Sequence, residues 1–356
     1  MKNEHILYIP EIDISIDDGS GINERNFVKI LLDKKVNVLI PRPVNKDVLK
    51  DLHNHENLHF TWYLNRRNPF SYIFHVFRKI IDINKINKSK NPAIVVFRLG
   101  LIPLDVFFAK RILKKRTFLK HLTFLGSSQK KSFLLSLTAI IRSKFINKKL
   151  IDGCDTPSFM TKQYIEKHYG LTNIHIAKNG TSKSEINNFK KEKNFIYIGR
   201  LSRGRNTDNL LETFSKCNKN IDIFGFGEME GLAKEYSKKF DNINFLGKVT
   251  YNELVKILPL YKFGIDLTYV DTEFGKASYS QKIAQYLSFG SNVLVVKCLD
   301  NQFIEDNNYG ILYDIESDNL AQLINEVEYN DVDVSKIAEY IYAEEIVESL
   351  LQFWRK

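Results

Sequence analysis

Short apolar runs alternate along this chain with longer segments whose apolar residues recur at helical spacing. In the first half the runs predict strands at residues 6–9, 36–40, 59–63, 93–97, 118–122, 150–151 and 174–177. In the second half they predict strands at 195–198, 221–224, 243–246, 264–267, 293–296 and 311–313. Helical spacing falls between them, at 22–32, 70–83, 127–146, 206–216 and 279–289, and again at 334–354 after the last strand. Strand–helix alternation of this kind builds α/β layers around parallel sheets. Two such series fit 356 residues, because a single core stops growing at roughly 250–300 residues. The fold class is therefore α/β with two Rossmann-like domains. The polar stretch 181–193 reads as the linker, which gives domains 1–185 and 186–356. No repeat with a period of roughly 20–50 residues is present.

The second series carries the candidate chemistry. The strand at 195–198 runs into Gly199-Arg200-Leu201-Ser202-Arg203-Gly204-Arg205. A glycine at a strand end lets a ligand or another backbone approach closely. Guanidinium groups beside it can grip a diphosphate in bidentate fashion and offset the charge of a leaving group. Gly225-Phe226-Gly227 follows the next strand and can border a nucleotide. Gly247-Lys248 follows a third and can read a base edge through its backbone, although Lys248 also reads as a solvated side chain. Tyr279-Ser280-Gln281-Lys282 opens a helix whose first N–H groups suit a phosphate, with Lys282 as a point charge. Gln285, one turn beyond Gln281, can hydrogen-bond ribose hydroxyls. Glu273 lies just upstream, in Asp271-Thr272-Glu273-Phe274-Gly275. Taken singly, these features also read as a surface arginine cluster and an ordinary amphipathic helix.

In this order the motifs resemble the donor domain of GT-B glycosyltransferases, especially family 4. Gly199-Arg200-Leu201-Ser202, Gly225-Phe226-Gly227 and Phe245-Leu246-Gly247 match that pattern directly. Arg205 stands where the family has its phosphate-binding Lys, and Asn206 replaces the Gly that follows it. The Glu-x7-Glu segment departs: Gln285 takes its second position and Ala277 its first, and Glu273 comes too early. Ser280, Lys282 and Gln285 are instead similar to the Ser-x-Lys-x-x-Gln donor helix of the membrane-associated glucuronosyltransferase of xanthan assembly, a GT-B enzyme that inverts. Asp155-Thr156-Pro157-Ser158 and Lys178-Asn179-Gly180 look like two further family segments. The resemblance implies two domains facing each other across a cleft. The second would hold a nucleotide-sugar, a UDP-sugar before a GDP-sugar, as a co-substrate and not as a cofactor. The first would hold a glycan or lipid-linked acceptor in cell-surface polysaccharide synthesis. The departure leaves inversion and retention both open. UDP-glucuronate transfer is one alternative; a non-catalytic nucleotide-sugar or nucleic-acid binding protein is another.

The first half is less specific. Its first strand leads into Glu11 and on to Asp17-Asp18-Gly19-Ser20-Gly21, where Gly19 and Gly21 read as an acceptor loop before a helix, or as a plain turn. Asp17, Asp18 and His121 are the candidates for a catalytic base or a polar group beside the reacting carbon. Asp155 reads as a cap for the helix that follows Ser158. Charge is uneven: residues 1–190 hold about 33 Lys and Arg against about 16 Asp and Glu, and the remainder is acidic. That excess, with basic amphipathic segments at 70–83 and 127–146, points to peripheral contact with an anionic membrane. No RRM-type, OB-type or zinc signature supports a nucleic-acid partner. No metal motif follows an early strand, so no metal is expected. Cys154, Cys217 and Cys298 are widely spaced and read as reduced thiols. The opening residues lack an apolar signal region, and no apolar run reaches the ~20 residues of a spanning helix. The expected location is cytoplasmic, peripheral on the inner membrane face.

Overall fold

The computed structural model describes residues 5–16, 19–45, 47–52, 54–65, 68–98, 100, 102–120, 143–144, 146–181, 183, 190–278 and 280–356. They divide into two compact units. One comprises Met1–Pro157, Thr161–Ala177 and Ala343–Lys356, and the other Ser158–Met160 and Lys178–Tyr342. No helix among the described residues is long and apolar enough to cross a membrane.

The first unit is built on seven parallel strands: β1 (Ile6–Ile9), β2 (Asn37–Pro41), β3 (Leu58–Thr61), β4 (Ile94–Arg98), β5 (Arg116–Lys120), β6 (Gly153–Thr156) and β7 (Ile174–Ile176). Their spatial order is β3-β2-β1-β4-β5-β6-β7. The strands are apolar on both faces because helices cover both. Ile6 and Tyr8 feed the layer under α1 (Gly19–Asp33), and Leu7 and Ile9 feed the layer under α2 (Pro69–Lys90). The start of α2 is fixed locally. Asn68 accepts a hydrogen bond from the Ser71 amide at 3.1 Å, and Pro69 occupies the first turn, where its missing N–H costs nothing. Asn91 ends it in the left-handed conformation, φ 43°. Two further helices, α3 (Leu104–Phe107, continued by a π turn over Phe108–Ile112) and α4 (Phe159–Tyr169), precede the second series.

The second unit has six parallel strands: β8 (Lys193–Arg200), β9 (Ile221–Phe226), β10 (Ile243–Gly247), β11 (Tyr261–Asp266), β14 (Asn292–Val296) and β15 (Gly310–Tyr313). A separate antiparallel hairpin, β12 (Val270–Thr272) with β13 (Gly275–Ala277), follows β11. The helices are α5 (Thr207–Phe214), α6 (Glu230–Lys239), α7 (Tyr251–Ile257), α8 (Gln281–Ser288), α9 (Gln302–Asp306), α10 (Leu320–Glu326) and α11 (Ala338–Ile341). The strand order is β10-β9-β8-β11-β14-β15. The winding direction reverses between β8 and β11. A doubly wound sheet opens a crevice at the carboxyl ends of its strands at such a point.

The final helix, α12 (Ala343–Arg355), belongs to the first unit, whereas the split at 185/186 assigns it to the second half. Val347, Leu350, Leu351 and Trp354 close the α1-side core. The Trp354 ring is stacked on Tyr8 at 6.4 Å and edge-on to Phe27 at 6.5 Å. The helix expected over 334–354 is therefore not continuous. Thr181 donates its amide to the Ile341 carbonyl at 2.8 Å and pairs with Tyr342, which turns extended and separates α11 from α12. The strand expected at 150–151 lies instead at β6. Leu150 and Ile151 are buried, but they sit in a turn closed by Asn147. The segment 127–146 falls almost entirely outside the described residues.

Trp354→Ala is expected to destabilise the protein by about 3–5 kcal/mol, the usual range for emptying a buried indole site. The measurement is the shift of the urea unfolding midpoint. An exposed residue of α12 such as Gln352 changed to Ala is expected to move it far less.

Candidate functional site

Helix α8 meets strand β11 in two successive rungs. Gly264 has no side chain because the Tyr286 ring lies flat on its Cα: a Cβ there would come within 2.1 Å of the ring. The Tyr286 hydroxyl accepts a hydrogen bond from the Ile198 amide of β8 at 3.0 Å. One rung further on, Lys282 donates to Asp266 Oδ1 at 2.8 Å. The spacing follows from backbone geometry. Four helical residues advance about 6.0 Å, and two strand residues about 6.6 Å. The α8 N-terminus is thereby fixed over the point where β8 and β11 part.

Asp266 is completely buried, and it also accepts from the Thr268 hydroxyl at 2.6 Å. Burial alone would raise its pKa, but the Lys282 ammonium outweighs it and holds the carboxyl below its ordinary value. Lys282 is thus not the free point charge that the sequence suggests. Its Nζ lies 4.8 Å from the Tyr197 ring centroid, and 3.6 Å from where a Cβ on Gly199 would be. Ser280 caps the helix by accepting from the Lys282 amide at 3.3 Å. Gln281 donates to the Gly180 carbonyl at 3.0 Å, so it anchors the Lys178-Asn179-Gly180 segment. Gln285 is half-buried.

The glycines of the β8 and β9 ends serve mutual packing. A Cβ on Gly225 would meet the Gly199 carbonyl at 2.1 Å, and one on Gly227 would meet the Leu201 carbonyl at 2.3 Å. The Leu201 amide in turn donates to the Phe226 carbonyl at 2.8 Å. The basic turn that follows is equally fixed. Thr207 Oγ1 accepts from the Ser202 amide at 3.0 Å, and Asn206 Nδ2 donates to the Leu267 carbonyl at 2.8 Å. Asn206 holds φ 52°, the left-handed conformation that Asn tolerates better than other non-glycine residues. That explains how it stands where the resemblance expects Gly. Since Leu267 directly follows Asp266, the Arg203–Arg205 turn lies beside the end of β11. Arg200 is exposed and Arg205 half-buried, and neither has an ion-pair partner among the described residues. Lys248 is exposed over the Phe226 ring at 5.4 Å. Glu273 is exposed at the tip of the β12–β13 hairpin, and Tyr279 lies outside the described residues.

A buried carboxylate that the sequence did not flag organises the neighbouring segments. Asp300 accepts from the Ser158 hydroxyl at 2.8 Å and from the Phe159 amide at 2.7 Å. It therefore caps α4 from a distant position, in place of the local cap expected of Asp155, which is buried within β6. Lys178 donates to the Asp300 carbonyl and stands over the Phe303 ring at 4.2 Å. Burial, only partly offset by Asp300, pushes its pKa down to about 8. A cavity of about 20 Å³ adjoins it, lined by Asn179, Ser278 and Ser280 among others; it is large enough for a single water.

In the first unit, Gly19 and Gly21 lie within the first turn of α1 rather than in a loop, because the helix begins three residues earlier than its apolar spacing suggests. Asp17, Asp18 and His121 fall outside the described residues. Two unforeseen charge clusters lie at this sheet's carboxyl edge. Glu24 accepts from the Tyr8 hydroxyl and from Arg98. Glu11, fully buried, accepts from the Tyr72 hydroxyl at 2.8 Å and from Lys79, which also pairs with Asp105 at 2.8 Å. Burial would raise the Glu11 pKa, but Lys79 and His75 outweigh it and hold the carboxyl well below the usual range. A lone acidic residue, in a strand-end loop like Glu11 or within a helix like Glu24, carries no periodic signal, so the sequence pattern could not rank either. Among the described residues no three His, Cys, Asp or Glu side chains come together to hold a metal ion.

Gly264→Ala is expected to destabilise by about 1–3 kcal/mol, as overpacking usually does. Tyr286→Ala in the same chain should recover part of that loss; strictly additive losses in urea unfolding would deny the contact. A second expectation concerns pH. A lysine whose folded pKa is lowered binds fewer protons in the folded state, so its contribution to stability rises with pH between the folded and unfolded values. The stability of the wild type relative to Lys178→Met should accordingly increase from about pH 8 to about pH 10.5, measured by urea midpoints across that range.

No protein-family model matches the chain, and no curated protein matches it significantly. Solved structures do. The chain is similar to the apo form of the lipopolysaccharide outer core galactosyltransferase WaaB, with a TM-score of 0.69, 15% identity and coverage of 98% of each chain. It is similar to TarM, with a TM-score of 0.69 and 14% identity, over 100% of this chain and 99% of that one. It is also similar to Anabaena HepE in complex with UDP and glucose, with a TM-score of 0.64 and 12% identity, over 99% of this chain and 100% of that one. The architecture of two parallel sheets, of seven and six strands and flanked by helices, is the GT-B fold.

Proposed function

We propose that the chain is a glycosyltransferase that moves a sugar from a UDP-sugar to a glycan or lipid-linked acceptor in cell-surface polysaccharide synthesis, at the cytoplasmic face of the membrane. The observation that carries this reading is Arg200 at the end of β8 and Arg205 on the rigid turn that follows, without an ion-pair partner among the described residues, on the edge where Lys282 of the capped α8 N-terminus meets Asp266 of β11. Such an arrangement suits the diphosphate of a nucleotide-sugar. As the bond to the anomeric carbon breaks, negative charge grows on the departing diphosphate. Donors already held in place stabilise that charge without reorganising. An ammonium has three N–H donors, and Asp266 takes one of those on Lys282, so this residue acts as an oriented donor rather than a mobile charge. The solved structures of HepE with UDP and with UDP-glucose support a uridine donor. The name of WaaB supports a surface glycan as acceptor. The acceptor is assigned to the first unit.

The Lys282–Asp266 pair favours a neutral hexose over glucuronate. A uronate carboxylate needs a cation beyond the arginines assigned to the diphosphate, and the ammonium on α8 is already balanced. Glucuronosyl transfer remains the rival, carried by Ser280, Lys282 and Gln285 together. Turnover of UDP-glucose against UDP-glucuronate with membrane extract as acceptor separates the two.

Purified protein is expected to bind UDP and to release it from a UDP-sugar. Arg200→Ala and Arg205→Ala should each lower kcat/KM by about 10²–10³-fold, with unchanged circular dichroism. No affinity for UDP, and no turnover of any UDP-sugar, would overturn the proposal.

A further inference from the structure

Helix α2 is inverted. Its inner face, packed into the first unit, carries Tyr72, His75 and Lys79 alongside Val76, Ile83 and Ile86, all buried. Its outer face carries Phe70, Ile73, Phe74, Phe77 and Ile81, exposed by 86%, 43%, 51%, 56% and 48%. These five recur at spacings of three and four, so they form one stripe about three turns long. Trp62, at the end of β3, extends the stripe: its ring packs edge-on to Phe74 at 5.1 Å and is itself 38% exposed. A helix that needed only to fold would bury its phenylalanines and expose its lysine and histidine. Burying Lys79 instead requires two carboxylates, Glu11 and Asp105, to hold it. An exposed apolar patch of this continuity marks a surface made for something outside the chain.

The charge around the stripe identifies its partner. Lys85 and Lys88 continue it toward the helix C-terminus, followed by Lys90, and all three are exposed. The sole acidic residue of α2, Asp82, is mostly buried and is shared by Arg78 at 3.5 Å and Lys85 at 3.8 Å. Aromatic rings beside lysines suit the boundary between headgroups and acyl chains, where rings enter the apolar layer and ammonium groups meet lipid phosphates. We propose that the outer face of α2, with Trp62, is a docking surface for an anionic lipid bilayer, with α2 lying in the plane of the interface. This does not depend on the sugar chemistry above, since it rests on residues of the first unit alone.

The test is flotation of the full chain with vesicles of phosphatidylcholine, with and without phosphatidylglycerol, at low and at 0.5 M salt. The wild type is expected to float with phosphatidylglycerol vesicles, and less so in high salt. Phe70→Ser, Phe74→Ser and Phe77→Ser combined should reduce binding at least tenfold, with an unchanged thermal midpoint and unchanged UDP affinity. Lys85→Glu with Lys88→Glu should abolish the preference for phosphatidylglycerol. Three results overturn the proposal: a wild type that stays with the unbound fraction, a triple variant that floats like the wild type, or a wild type that dimerises through this face without binding vesicles.

Discussion

The contact between the Tyr286 ring and the bare Cα of Gly264 sets the second unit's geometry. It brings α8 closer to the sheet than any side chain at 264 would allow. The Tyr286 hydroxyl then reaches across to the Ile198 amide, so that one residue ties α8 to both strands at the reversal. Helix and strand periodicities do the rest. With Tyr286 on Gly264, the residue one turn earlier must stand over the residue two positions later. Those residues are Lys282 and Asp266, a cation and a buried carboxylate. The pair is a consequence of the packing as much as a cause of it. A buried ion pair contributes little net stability against an apolar alternative, so its value here lies in orientation.

Rigidity and reactivity are divided among neighbouring groups at this edge. Gly225 and Gly227 are consumed in packing against the neighbouring strand end, and the side chains of Asn206, Thr207 and Gln281 are bonded to backbone groups. Arg200 and Arg205 have no ion-pair partner among the described residues. In the proposed site, groups held this way would resist rearrangement when charge appears in front of them, which is the condition for electrostatic stabilisation of a leaving group. In the first unit the corresponding edge is closed differently. Glu11 and Glu24 are saturated by Tyr72, Lys79, Tyr8 and Arg98. Those carboxylates brace the strand ends of β1 and β4 and are already neutralised by their own cations.

The sequence made the strands legible because a sheet covered on both faces demands apolar residues at nearly every position. Each run in the second half falls on an observed strand, with boundaries moved by a few residues. Three features escaped because their cause is not local. α12 is amphipathic wherever it packs, and only its partners Tyr8 and Phe27 assign it to the first unit. The break at Tyr342 depends on Thr181, far away in the chain. The strand at Gly153–Thr156 is less apolar than the turn before it, so hydropathy chose the turn. Of the proposed site, Arg200, Arg205 and the α8 N-terminus are legible because strand-glycine-basic and helix-start patterns are short-range. Asp266 and Asp300 were not, because a lone carboxylate after a strand looks the same whether it faces water or lies buried against a lysine.

Helix α2 shows the limit of periodicity most clearly. In its first three turns apolar residues stand on both the inner and the outer face, so pattern alone cannot say which stripe faces the sheet. The structure decides by charge rather than by hydropathy. Glu11, in the loop after β1, is buried beneath α2, and a buried carboxylate needs a cation. Lys79 supplies it, and turning Lys79 inward turns Phe70, Phe74 and Phe77 outward. Electrostatic demand in the core thus fixes the rotation of the helix, and the rotation leaves aromatic surface facing solvent. A chain under no other constraint would lose that surface by replacing the phenylalanines with polar residues, which leaves the inner contacts untouched. Phenylalanine at 70, 74 and 77 with isoleucine at 73 and 81, followed by lysines, is the composition that the proposed contact with a charged, apolar-cored layer would require.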